Sequence, residues 1–195
     1  IQEQYFYPTA FTTEEPVYAS MVANNLRDVP IFTLTTSTHL QDLTTKLTGL
    51  VQYVYSEDAP GKYLLNQAKQ GVVTDQSGVP VTYSELLSTV NNGNYRNTIF
   101  RYDANDRVIE TEKEGFVTGY VRSQEGRRVI ATVQNAHERD IFYTGFEDDT
   151  GNTFSAKIGN KALTAAGSFT IPKSFTNTAD LVMSYWGFDG SAWHF

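Results

Sequence analysis

Apolar and polar positions alternate with a period of two in parts of this chain, the repeat that exposes one face of a β-strand and buries the other. Ile31-Phe32-Thr33-Leu34-Thr35-Thr36-Ser37 is the clearest case, rich in β-branched residues and predicted as a strand with one wet face. Tyr5-Phe6-Tyr7-Pro8 predicts a short opening strand, since Pro8 biases Tyr7 away from helical angles. Residues 43–55, ending in Leu50, Val51, Tyr53, Val54 and Tyr55, continue the strand character up to a turn at Pro60-Gly61. A second turn signal lies at Gln76-Ser77-Gly78.

Two stretches follow helical spacing instead. Val17, Met21, Val22 and Leu26, with Thr13 as N-cap and Glu14, Glu15 and Pro16 in the first turn, predict a helix over residues 14–26 that stops before Pro30. Ser84 is expected to cap a second, short helix over 84–90, which Asn91-Asn92-Gly93 would end. From Thr98 the pattern becomes a regular meander. Strands are expected at 98–102, 107–111, 116–122 and 129–133, joined by short Asn, Asp and Gly turns. Further strands are expected at 141–146, 154–158, 167–171 and 181–188, with a boundary near residues 135–140. The segmentation is therefore a mixed region over 1–97, a meander over 98–139 and the first strands of a sandwich over 140–195. The fold class expected is mainly β and antiparallel, with one or two short helices.

Composition narrows the function classes. Hydrophobic residues make up 40% of the 195, enough for a folded interior, and the 12 Tyr and 12 Phe favour strands. A net charge of −7 repels a phosphate backbone, so nucleic-acid partners are disfavoured. With no cysteine, a disulfide framework, a thiolate zinc site and a cysteine nucleophile are excluded together. No run approaches the roughly 20 apolar residues of a membrane helix. The start at Ile1, with no basic-then-apolar leader, is expected of a processed, excised or only partly observed polypeptide.

Candidate chemistry is sparse. Glu147-Asp148-Asp149, with Asn152 nearby, offers hard oxygen ligands at a strand end that suit Ca²⁺, whereas turn chemistry favours a solvated acidic turn over the same residues. Tyr185, Trp186 and Trp193 could stack on sugar rings, although Trp186 has the look of a core filler, while Trp193 follows a Gly-Ser-Ala turn and is expected to be exposed. His39, His137 and His194 are scattered without metal-binding spacing and are expected at the surface. Glu110, Glu112 and Glu114 share a period of two and are expected on one solvated strand face rather than as a glycosidase pair. Nucleophile-elbow, phosphate-loop and dinucleotide patterns do not occur. No catalytic residue and no cofactor other than calcium is expected.

Tyr102-Asp103-Ala104-Asn105-Asp106-Arg107-Val108-Ile109-Glu110, followed by Gly115 and Tyr120, resembles a YD repeat of the RHS family, with Asp106 where that family commonly has Gly. Tyr7-Pro8, Met21-Val22-Ala23-Asn24-Asn25, Pro30-Ile31, Asn135-Ala136 and Tyr143-Thr144-Gly145-Phe146-Glu147 extend the resemblance over nearly the whole chain. It implies a large secreted or cell-surface protein, exported in some members by a type IX route. It also implies that residues after Glu147 begin a carbohydrate-binding-like jelly roll, in which Glu147 would hold a structural calcium whose far-end ligands this chain lacks. A half sandwich leaves open edges, so the rest of a larger chain or a partner protein is expected to complete it. The function expected is a non-enzymatic scaffold joining YD repeats to a β-sandwich. A glycan-binding module and the shell of a secreted polymorphic toxin are the alternatives.

Overall fold

Pro16 sets where the first helix begins. A proline pushes the residue before it into extended conformation and suits the first helical position. Glu15 is accordingly extended at φ −136° and ψ 132°, and α1 runs Pro16–Ala23. The expected start at Thr13 and Glu14 is thus corrected, because the proline holds both acids outside the helix. The helix ends in a Schellman turn: Asn25 is left-handed at φ 62°, and the Leu26 amide donates to the Met21 carbonyl at 2.9 Å. Leu26 then folds back onto the core.

The computed structural model describes residues 1–41, 43–71, 79–91, 95–123, 125–144, 173–175, 182–185, 187–188 and 191–194. These fall into two units, Ile1–Val117 and Thr118–Phe195. In the first, β1 (Gln2–Phe6) and a 3-10 turn (Pro8–Ala10) precede α1. There follow β2 (Phe32–Thr38), β3 (Thr45–Ala59), β4 (Lys62–Gly71), α2 (Tyr83–Asn91), β5 (Tyr95–Tyr102) and β6 (Val108–Lys113). Each strand pairs antiparallel with the next in chain order. The fold is mainly β, an antiparallel meander with two short helices, as the alternation predicts.

The core occupies the face of this sheet against which both helices pack. Phe32 and Leu34 from β2 and Leu47 and Leu50 from β3 meet Tyr18 and Met21 of α1 and Tyr83, Leu86 and Val90 of α2. Phe32 is at the centre of an aromatic group, edge-on to Phe11 at 6.2 Å and to Tyr83 at 5.9 Å between ring centroids. Burial pushes the phenols of Tyr18 and Tyr83 above the ordinary tyrosine range. Within this interior, Gln52 is buried and its Oε1 has no hydrogen-bond partner among the described residues.

α2 departs from expectation at its cap. Thr82, not Ser84, closes a capping box: the Glu85 amide donates to Thr82 Oγ1 at 3.3 Å, and the Thr82 amide donates to Glu85 Oε2 at 3.0 Å. Strand β4 was not legible as a strand because Leu64, Leu65, Gln67, Ala68 and Lys69 are good helix formers. Pairing on both sides, with β3 and with β5, overrides that preference. The turn expected at 76–78 lies outside the described residues.

In the second unit β7 (Phe116–Arg122), whose first two residues precede the division, pairs antiparallel with β8 (Val129–Gln134). The strand expected at 141–146 is absent from its described part, 141–144. Ile141 instead ends a 3-10 turn over Glu138–Asp140, and its Cδ1 lies 2.5 Å from where a Cβ on Gly119 would stand. Lys173 secures that turn, its ammonium donating to the carbonyls of Glu138 at 2.7 Å and Ile141 at 2.6 Å. Of the strand expected at 181–188, residues 182–185 are unpaired in any described ladder, and Gly187–Phe188 form β9, paired with β10 (Trp193–His194). The strands expected at 154–158 and 167–171 lie outside the described residues.

Candidate functional site

A chain of polar contacts runs from the C-terminal half of α1 to the β3–β4 turn and from there to the β5–β6 turn. Its base is the Tyr102-Asp103 turn. Asp103 accepts from the backbone amides of Asn105 at 2.9 Å and Arg107 at 3.0 Å, and from the Arg107 guanidinium at 2.6 Å. An aspartate that can reach its own backbone two residues on is a natural turn former. The Arg107 guanidinium, foremost, and the two amides hold the Asp103 carboxyl well below the usual carboxylate range, at about 2. Asp106 takes φ 63°, the left-handed conformation that glycine favours and aspartate tolerates. Tyr102 secures the strand by donating its hydroxyl to the Leu65 carbonyl of β4 at 2.7 Å.

Lys62 joins this turn to its neighbour. Its ammonium stands 2.6 Å from Asp106 and 2.8 Å from Asp58, and those two carboxylates, Asp106 first, raise its pKa above the ordinary lysine value. The opposite side of the β3–β4 turn is fastened to α1. Ser20 Oγ lies 2.9 Å from Glu57 Oε2 and 2.6 Å from the Tyr63 hydroxyl, which also accepts from Asn24 at 2.9 Å. Gly61, at φ 77°, donates its amide to Glu57 Oε1 at 2.9 Å.

A serine hydroxyl on a carboxylate invites comparison with an activated nucleophile, and the electrostatics oppose it. The Gly61 amide, then Ser20, lower the Glu57 pKa, so the carboxylate is a weakened base. The amide that could stabilise an oxyanion is itself bound to Glu57. The arrangement fastens helix to hairpin and hairpin to hairpin.

The carboxylates of β6 require a correction. Glu110, Glu112 and Glu114 do not form one solvated face: the Glu110 side chain is 7% exposed and pairs with Arg101 on the adjacent strand at 3.2 Å. Arg101 also holds Glu112 at 2.8 Å. Glu114 has left the strand for the turn with Gly115, at φ 52° and 83°. The period of two does bring Glu110 and Glu112 to one arginine, but Glu110 is covered, which alternation alone does not reveal.

The other expected site residues are dispersed or undescribed. Glu147, Asp148 and Asp149 lie outside the described residues, as do Asn152 and Trp186. Tyr185 is 67% exposed beside exposed Val182 and Met183, and Trp193 belongs to β10. His39 and His194 are exposed and His137 is half-buried, in separate segments of the chain. Among the described residues no group of three or more His, Cys, Asp or Glu could hold a metal ion, and no helix is long and apolar enough to cross a membrane. Sequence reasoning missed Ser20, Glu57, Asp58, Lys62 and Tyr63. Their only local signal is the Asp58 to Lys62 spacing around Pro60-Gly61.

No protein-family model, curated protein or solved structure matches this chain.

The Asp103 turn predicts a pH dependence. Because its folded pKa is depressed, its stabilisation is complete above the unfolded carboxyl range, near pH 4, and is lost as pH falls towards about 2. Solvent screening reduces the effect to about 1 kcal/mol. Urea unfolding at pH 2, 4 and 7 should show that increment in the parent and lose it in Asp103→Asn. Equal pH dependence in both proteins would refute the assignment.

Proposed function

We propose that this chain is a non-enzymatic structural segment of a large secreted or cell-surface protein of the RHS type, joining YD-repeat-like hairpins to a following β-sandwich module. The observation that carries this reading is the chemistry of the Tyr102-Asp103 turn. Its Tyr, Asp and Arg are engaged in closing the hairpin and tying it to β4, and Lys62 fastens it to the preceding hairpin. Such turn-to-turn fastening suits a sheet that extends hairpin by hairpin. Calcium held by Glu147 and Asp148 belongs to the same reading, through the hard oxygen ligands of that segment and the resemblance.

Presentation outside the cell is the accessible test. Intact producing cells treated with a non-permeant protease should lose the segment, as detected with an antibody against residues 1–117. Asp103→Ala combined with Lys62→Ala should lower the amount presented. Protection in intact cells and digestion only after lysis would overturn the reading.

Glycan binding by the C-terminal region is a second reading, favoured by the exposure of Tyr185 and the amphipathic character of such aromatics. Tyr185 and Trp193 would carry it.

A further inference from the structure

The turn between β7 and β8 carries Arg127-Arg128, the single pair of adjacent basic residues in the chain. Arg127 has 84% of its side chain exposed, and its nearest acid, Glu125, is 3.9 Å away. Arg128 is exposed as well. The next two residues, Val129 and Ile130, are 44% and 37% exposed at the start of an extended strand.

Several other basic residues are poorly placed for recognition by an acidic specificity pocket, and none of the described ones has a basic neighbour in sequence. Lys62, Arg101 and Arg107 are held by carboxylates at 2.6 to 2.8 Å. Arg96 and Lys173 are paired at 3.3 and 3.1 Å. Arg27, although exposed, precedes Asp28, which acidic subsites would repel. A guanidinium already bound at such a distance must lose that partner before entering a protease pocket. Exposed turn tips are also where backbone is most readily drawn into an extended protease cleft.

We propose that Arg127-Arg128 is a processing site for an endoprotease selective for paired basic residues. The reaction is hydrolysis of the Arg128–Val129 peptide bond. Water supplies the hydroxyl that leaves Arg128 with a carboxylate, and its protons go to the Val129 nitrogen, which becomes a new ammonium terminus. The cut leaves the chain as residues 1–128 and 129–195. The ladder from Thr118 opposite Gln134 to Arg122 opposite Val129 is untouched by it, so the two pieces stay associated. The site is independent of the scaffold reading.

The full chain, treated with trypsin at a low ratio under native conditions, should give 1–128 and 129–195 as its first fragments, co-eluting on size exclusion. Arg127→Gln with Arg128→Gln should slow that first cut at least tenfold while leaving the far-ultraviolet circular dichroism unchanged. Protein isolated from producing cells should yield an N-terminal peptide starting at Val129, absent from the double variant. A first cut elsewhere, an unchanged rate in the double variant, or cell-derived protein without a terminus at Val129 would each overturn the proposal.

Discussion

Replacing Phe32 with alanine should destabilise the first unit by about 3–5 kcal/mol, the range for truncating a fully buried aromatic. Phe32 has no exposed surface, and its ring is in contact with both Phe11 and Tyr83. Its loss would remove the apolar burial and leave a cavity between sheet and helices. Since small domains have only about 5–15 kcal/mol of net stability, a large part of the unit's margin would go. Phe32→Leu should cost much less, because most of the volume is retained. Urea unfolding followed by far-ultraviolet circular dichroism would measure both. A cost below about 1 kcal/mol for the alanine variant would mean that this face is not the core.

Gly119→Ala should destabilise the second unit by roughly 2–3 kcal/mol, although it adds a single methyl group. A Cβ there would stand 2.5 Å from Ile141 Cδ1, 2.8 Å from the Ala136 carbonyl oxygen and 3.1 Å from the Glu138 nitrogen. The first contact is with the movable end of a side chain, whereas the other two are backbone. Ile141→Val removes the offending methyl, so combining it with Gly119→Ala should recover only part of the loss. Hydrogen exchange across residues 118–134 would report the change where it occurs. Full recovery in the double variant would show that the carbonyl contact is not limiting.

The legibility of these features differs for physical reasons. Asp106, where the resembled repeat commonly has Gly, takes the left-handed conformation of such a turn, because turn chemistry is local: the conformation depends on a few consecutive residues. β7 over Phe116–Arg122 falls where alternation and the flanking Gly115 and Gly126 place it. At the start of α1 two local signals compete, Thr13 as a cap and Pro16 as the first helical residue, and proline's fixed geometry prevails. Ser84 lies closer to the apolar run and so reads as the cap, while the reciprocal bond between Thr82 and Glu85 decides the register.

The candidate site was half legible. Tyr102, Asp103 and Arg107 stood out as a motif because their bonds close within one turn. Ser20 with Glu57 and Tyr63, and Lys62 with Asp106, are joined across 37 to 44 positions of chain, distances at which no local pattern operates. Glu110 shows the same limit in one residue. Its placement on the strand followed from periodicity, but its burial beneath Arg101 depended on the neighbouring strand.

The sequence by itself determined the antiparallel β class, the main turns and the absence of cysteine chemistry, because each follows from residue type and short-range backbone preference. Tertiary structure decided that β4 is a strand, that Glu110 is covered, and that Gly119 must lack a side chain. Those outcomes rest on which distant segments come into contact, and contact between distant segments is set by packing and pairing over the whole unit.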